Sequence, residues 1–102
     1  MTKVFVLEPT RLDVSAACAY GELVYIFAPG QHRSSIWTPE FAAELLARLS
    51  QLGYTSNDYI LIAGHVVAVS ILLTALVAAY SKVSALAFDS CGRRYVPQTL
   101  GA

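Results

Sequence analysis

The residue best placed to do chemistry in this chain is His65. It follows Gly64, between a short apolar run (Ile60, Leu61, Ile62) and a long one that starts at Val66. If a strand passes into a helix there, the imidazole stands at a helix start, where it would act as a neutral base or a hydrogen-bond donor. The competing reading is a helix-start histidine bonded to nearby backbone, because no nucleophile or metal partner lies at a diagnostic spacing. Two other segments would share a rim with His65 if their strands run parallel to its own: Glu8-Pro9-Thr10 and Asp89-Ser90. Ligands of open α/β sheets collect beyond the carboxyl ends of the strands. Glu8, Thr10, Gly64, His65, Asp89 and Ser90 are therefore candidate ligand-binding residues, with His65 the candidate catalytic group. A helix N-terminus beside them favours anions.

A second candidate is the loop Gln31-His32-Arg33-Ser34-Ser35-Ile36-Trp37. Arg33 and Trp37 are residue types that anchor interfaces. The competing reading is a local staple, in which Ile36 and Trp37 fasten the following helix to the core. Arg93-Arg94 beside Cys91 form a small basic spot that reads as surface charge. His32 and His65 have no fixed metal-ligand spacing, so no metal and no cofactor is expected. Cys18 and Cys91 form no CxxC pair and read as two reduced thiols of a cytoplasmic protein. GxGxxG, P-loop, HExxH and GxSxG patterns are all missing.

The elements that would position these groups must come from 102 residues, enough for a single domain over 1–102. Hydrophobic residues make up 56% and charged residues 14%, with seven basic and seven acidic side chains. The apolar share excludes a disordered chain. The balanced charge speaks against a basic nucleic-acid binder and against an acidic tail. A small domain buries only ~60% of its unfolded surface. The apolar surplus therefore points to a membrane or to a partner. The apolar run 4–7 is too short for a signal peptide.

Residues 59–80 carry no Asp, Glu, Lys or Arg. As one helix they would span about 33 Å, enough for a bilayer core. Gly64-His65 divides the run into 59–63, of strand length, and 66–80, of helix length. The segment 54–58 before it is turn chemistry. A soluble fold with a central strand here is the expectation, and a single-span membrane protein through 59–80 is the alternative.

Strands are expected at 4–7, 23–27, 59–63, 83–88 and 93–99. Asp13 suits the N-cap of a short helix that ends before Gly21. The 23–27 run does not alternate, which implies that both its faces are covered. Thr38, Pro39 and Glu40 have the chemistry of a helix start. Phe41, Ala42, Leu45, Leu46, Leu49 and Leu52 follow at helical spacing, with Glu44 and Arg48 paired on the other side. The 66–81 helix is apolar all round, which predicts burial all round. Its mildest stripe is Ser70, Thr74, Ala78 and Ser81. Pro97 confines the last strand to an edge. The outcome is an α/β fold: a mixed sheet of about five strands, two main helices and a C-terminal β-hairpin. The third strand, second long helix and fourth strand form a right-handed parallel crossover. So short a chain has little left to cover the 66–80 helix twice, so a homodimer packed through it is expected; the alternative is cover by the Trp37 loop and the first long helix within the monomer.

In Gly21-Glu22, the 41–52 helix and Ile62-Ala63-Gly64-His65, the chain resembles the small viral ring nucleases that block type III CRISPR signalling. The resemblance implies a dimeric α/β chain with His65 as catalytic acid, acting on a cyclic oligoadenylate. The helix after His65 is more apolar than that pattern, and no glutamate follows the hairpin. The leading functional reading is a cytoplasmic homodimer that binds a protein or small ligand, as a virus- or mobile-element-encoded accessory protein. A small phosphodiesterase or nucleotide-binding enzyme is the alternative.

Overall fold

The computed structural model describes residues 2–9, 14–28 and 35–101. Its strands are β1 (Lys3–Val6), β2 (Glu22–Tyr25), β3 (Tyr59–Leu61), β4 (Lys82–Asp89) and β5 (Arg94–Gly101). They form one mixed sheet in the order β2-β1-β3-β4-β5. The first four are parallel, and β5 runs antiparallel to β4. Two α-helices, α1 (Phe41–Gln51) and α2 (Val66–Tyr80), connect β2 to β3 and β3 to β4.

The sheet buries both faces unequally. Phe5, Leu7, Ile60 and Val83 pack against Phe41, Leu45 and Leu49 of α1 and Ala68, Leu72 and Leu76 of α2. On the other face Val4, Val6, Leu61 and Leu86 meet Val14, Ala17 and Tyr95. Alternate residues of β1 thus serve different cores, as a strand of period 2 requires. The chain leaves β1 for β2 over one face and returns from β2 to β3 over the other. Crossovers of one hand must change face when the direction reverses.

Asp58 is the one buried charged or polar residue of the described chain, 1% exposed. Its carboxylate accepts the N–H of Lys3 at 2.9 Å and the N–H of Thr55 at 2.8 Å. The Asp58 N–H donates back to the Thr55 carbonyl at 3.0 Å. This reciprocal turn delivers the chain into β3 and clamps it to the start of β1.

Several local expectations need correction. The segment before Gly21 is a 3-10 helix, Ser15–Tyr20, with only Ala17 buried. Six residues give too little apolar surface to hold an α-helix. Asp13 lies outside the described residues, and Val14 holds the N-cap position. Helix α1 starts at Phe41, later than Pro39, because the Phe41 N–H closes a turn on the Thr38 carbonyl at 3.3 Å. Strand β2 ends at Tyr25, although Ile26 and Phe27 still donate to Val6 and Leu7 at 2.9 Å. Because β2 is an edge strand, Tyr25 is exposed and its two faces are only partly covered. Strand β3 ends at Leu61, short of 63, where the Ala63 N–H turns back to the Leu61 carbonyl. β4 and β5 are longer than expected because the hairpin pairs them from Asp89–Arg94 to Lys82–Gly101. Pro97 lies on the edge strand as expected.

Residues 59–80 are not one helix. They break into β3 and α2, and no helix among the described residues is long and apolar enough to cross a membrane. Within the single chain α2 is not buried all round. Ala68, Val69, Leu72, Ala75 and Leu76 are buried, but Val66 is 75% and Tyr80 44% exposed. α1 covers one flank of α2 and the sheet another, leaving an outer side open.

Candidate functional site

The strand order 2-1-3-4 puts a reversal of chain direction between β1 and β3. Such a switch point opens a crevice beyond the carboxyl ends of the two strands, because their connections leave in opposite directions. Glu8 follows β1 at this end of the sheet and is half-buried. Gly64-His65 follows β3 and leads into α2. Gly64 has φ 108°, a left-handed conformation that glycine adopts without strain. A side chain at Gly64 would meet Leu7 only at an ordinary 3.8 Å, so the backbone angle sets the requirement.

His65 is the N-cap of α2. Its Nδ1 accepts the Ala68 N–H at 3.4 Å, and its carbonyl accepts the Val69 N–H at 2.9 Å. The backbone-bonded reading of this histidine therefore describes its Nδ1. With that lone pair occupied, the hydrogen of the neutral ring lies on Nε2. The exposed ring thus offers one outward donor.

Trp37 comes to His65 from the loop before α1. The two rings meet edge-on, with centroids 6.1 Å apart at 81°. The staple reading is divided between neighbours: Ile36 is buried at 4%, while Trp37 is 71% exposed. Trp37, His65 and Val66 consequently form one exposed patch with two large apolar members.

The other expected site residues are dispersed. Thr10, His32 and Arg33 lie outside the described residues. Asp89 stands three residues beyond Leu86, the partner of Leu61, so it extends past the crevice. Its carboxylate caps the hairpin turn by accepting the Cys91 N–H at 3.0 Å, and it pairs with Arg94 at 4.0 Å. Ser90, Cys91 and Arg93 are exposed in the same turn. Cys18 and Cys91 are both free and exposed.

The open side of α2 forms a second surface. Val66, Ser70, Thr74 and Ala78 recur every four residues and are all exposed. The Ser70 hydroxyl donates to the Val66 carbonyl at 2.7 Å, so its polarity is satisfied within the helix. Together with Ala42 of α1, the residues Ser70, Ile71, Thr74, Ala75 and Ala78 line a groove of about 320 Å³. The charges of α1 lie elsewhere. Arg48 sits 4.4 Å from the centroid of the Phe27 ring, donates to the Ile26 carbonyl and pairs with Glu44 at 3.6 Å.

Sequence patterning does not mark Asp58 or the α1 side of the groove as sites. A Thr three residues before an acidic residue is a capping-box spacing, and Thr55–Asp58 has it. The α2 wall of the groove carries the small-residue stripe Ser70, Thr74 and Ala78, but its meeting with Ala42 of α1 has no local signature.

A family model described as Phage Pam3 gp32-like protein matches residues 2–101. The chain belongs to this family. No curated protein and no solved structure gives a significant match. Membership of the Phage Pam3 gp32-like family supports a phage-associated origin, in line with the expected viral or mobile-element source. The features above belong to a chain of this family across nearly its full length.

Proposed function

We propose that this Phage Pam3 gp32-like protein is a cytoplasmic homodimer that binds a protein or small ligand without catalysis. The observation that supports it is the open, charge-free side of α2. An isologous interface needs a surface complementary to itself. Ser70 and Ala78 lie four residues either side of Thr74, so a two-fold axis through Thr74 would set each Ser70 against the partner's Ala78. Small residues allow the two helices to approach closely. With no charge on this stripe, nothing selects a differently charged partner over a second copy. The ligand would then meet the rim patch of Trp37, His65 and Val66, flanked by Glu8 and Gly64. Asp89 and Ser90 contribute only at its margin.

Multi-angle light scattering tests the assembly. The wild-type chain should have twice the 11.0 kDa monomer mass, and Thr74→Arg should halve it with an unchanged circular dichroism spectrum. A wild-type particle of monomer mass at micromolar concentration would sink this reading.

A second reading, a small phosphodiesterase or nucleotide-binding enzyme with His65 as acid or base, draws on the outward Nε2 of His65 beside Trp37. Incubation with a cyclic oligoadenylate separates the two. Turnover that is lost in a folded His65→Ala variant would favour the enzyme; intact substrate with wild-type protein favours binding.

A further inference from the structure

The end of the sheet opposite the rim holds a separate polar cavity. Ser56 from the turn before β3, Tyr80 and Ser81 from the end of α2, Lys82 and Ser84 of β4 and Thr99 of β5 line about 460 Å³. Ser84 and Thr99 are direct partners across the β4–β5 ladder. Ligand pockets for small molecules fall in this size range.

The chemistry of the lining is specific. It presents five side-chain hydroxyls and one ammonium group, and no carboxylate. Among the described residues none of these five hydroxyls is hydrogen-bonded and Lys82 makes no ion pair. Hydroxyls both donate and accept. The Tyr80 ring is 44% exposed and meets Tyr54 edge-to-face, with centroids 5.3 Å apart at 71°. That contact holds one aromatic surface in a fixed orientation at the cavity wall.

Local charge decides between an anion and a neutral guest. The α2 C-terminus carries partial negative charge, which offsets the ammonium of Lys82 beside it. With the Lys82 charge partly offset, rich in groups that donate and accept, and walled by an aromatic ring, the cavity matches a ring of carbon bearing hydroxyls. Ser81 adds a further sign. It closes α2 with its N–H on the Val77 carbonyl at 2.8 Å and has φ 70°, a conformation that glycine adopts more easily. Serine at this position keeps a hydroxyl on the cavity at the expense of backbone strain.

We propose that this cavity binds a neutral saccharide of one or two rings, with Tyr80 as the stacking surface and Ser56, Ser81, Ser84, Thr99 and Lys82 as hydrogen-bonding groups. It shares no residue with the α1–α2 groove or with the rim around His65.

Amide-resolved NMR titration of the full chain tests it, with glucose, galactose, N-acetylglucosamine and maltose as probes and inorganic phosphate as the charged control. At least one sugar should give saturable shifts confined to residues 80–84, 99 and 56, and phosphate should not. Tyr80→Ala should weaken that binding about tenfold, the loss expected for one stacking contact. Ser81→Gly should raise the thermal midpoint and weaken binding together, a pairing that a purely structural serine would not produce. The proposal is overturned if no sugar saturates, if phosphate alone does, or if both variants bind sugar as the wild type does.

Discussion

Replacing Asp58 should damage this protein more than any other single change of a charged side chain. The carboxylate is 1% exposed and accepts from the Lys3 and Thr55 N–H groups at 2.9 and 2.8 Å, with the Thr55 hydroxyl a weaker third donor at 3.3 Å. A hydrogen bond to a charged group contributes about 1.5–3 kcal/mol. Thr55 is exposed, so its hydroxyl can turn to water, and only the two N–H bonds count in full. Asp58→Ala should therefore cost about 3–5 kcal/mol, a large part of the ~5–15 kcal/mol typical of a domain. Asp58→Asn keeps one acceptor oxygen and turns an N–H₂ toward the other donor, so it should cost about half as much. Urea denaturation followed by circular dichroism measures both, with the slope checked for constancy. The same clamp aligns β1 with β3 and hence Glu8 with Gly64-His65. Rim amide signals should shift in Asp58→Ala well below its unfolding midpoint. A loss under about 1 kcal/mol, or equal losses for the two variants, would refute the clamp.

Other expectations are as direct. The Tyr54 hydroxyl is buried and has no hydrogen-bond partner among the described residues. Tyr54→Phe should therefore leave stability unchanged or raise it by about 1 kcal/mol in thermal melts. Burial, with Tyr80 and Asp58 nearby, raises the Tyr54 phenol above its usual 10.0. The unfolded chain then ionises first, so stability should fall as pH rises above 10.0, and less steeply in Tyr54→Phe. A methyl group on Gly101, where φ is 94°, would collide with the Ser81 carbonyl oxygen. Gly101→Ala should lower the melting midpoint and loosen the end of the β4–β5 ladder in hydrogen exchange. Trp37 is the sole tryptophan and is 71% exposed. Its emission should be red-shifted and readily quenched by iodide; protection of Trp37 in the free protein would contradict the exposed patch.

Much of the architecture was legible locally. Period-2 and period-3.6 runs depend on near neighbours, so the five strands and two α-helices could be read from 4–7, 23–27, 59–63 and the rest. Gly64-His65 was legible for the same reason. A glycine followed by a cap residue marks where a strand must stop and a helix begin. The apolar content of 66–80 was equally plain, yet it does not say which sides of the helix the chain itself covers. Which side of a helix is covered depends on what packs there, and in this chain α1 covers a single flank.

The sequence by itself determined the element types, their chain order and the chemistry stationed at their ends, because these follow from side-chain volume, backbone preference and spacing. Tertiary structure alone decided that β1 lies between β2 and β3, and with it where the switch point falls. It also brought Trp37 to His65, carried Asp58 to Lys3, and gathered Ser56, Ser81 and Thr99 around one cavity. Those pairs are separated by 28, 55 and up to 43 positions along the chain. Contacts over such distances arise from the burial of two sheet faces at once, which no local run of residues encodes.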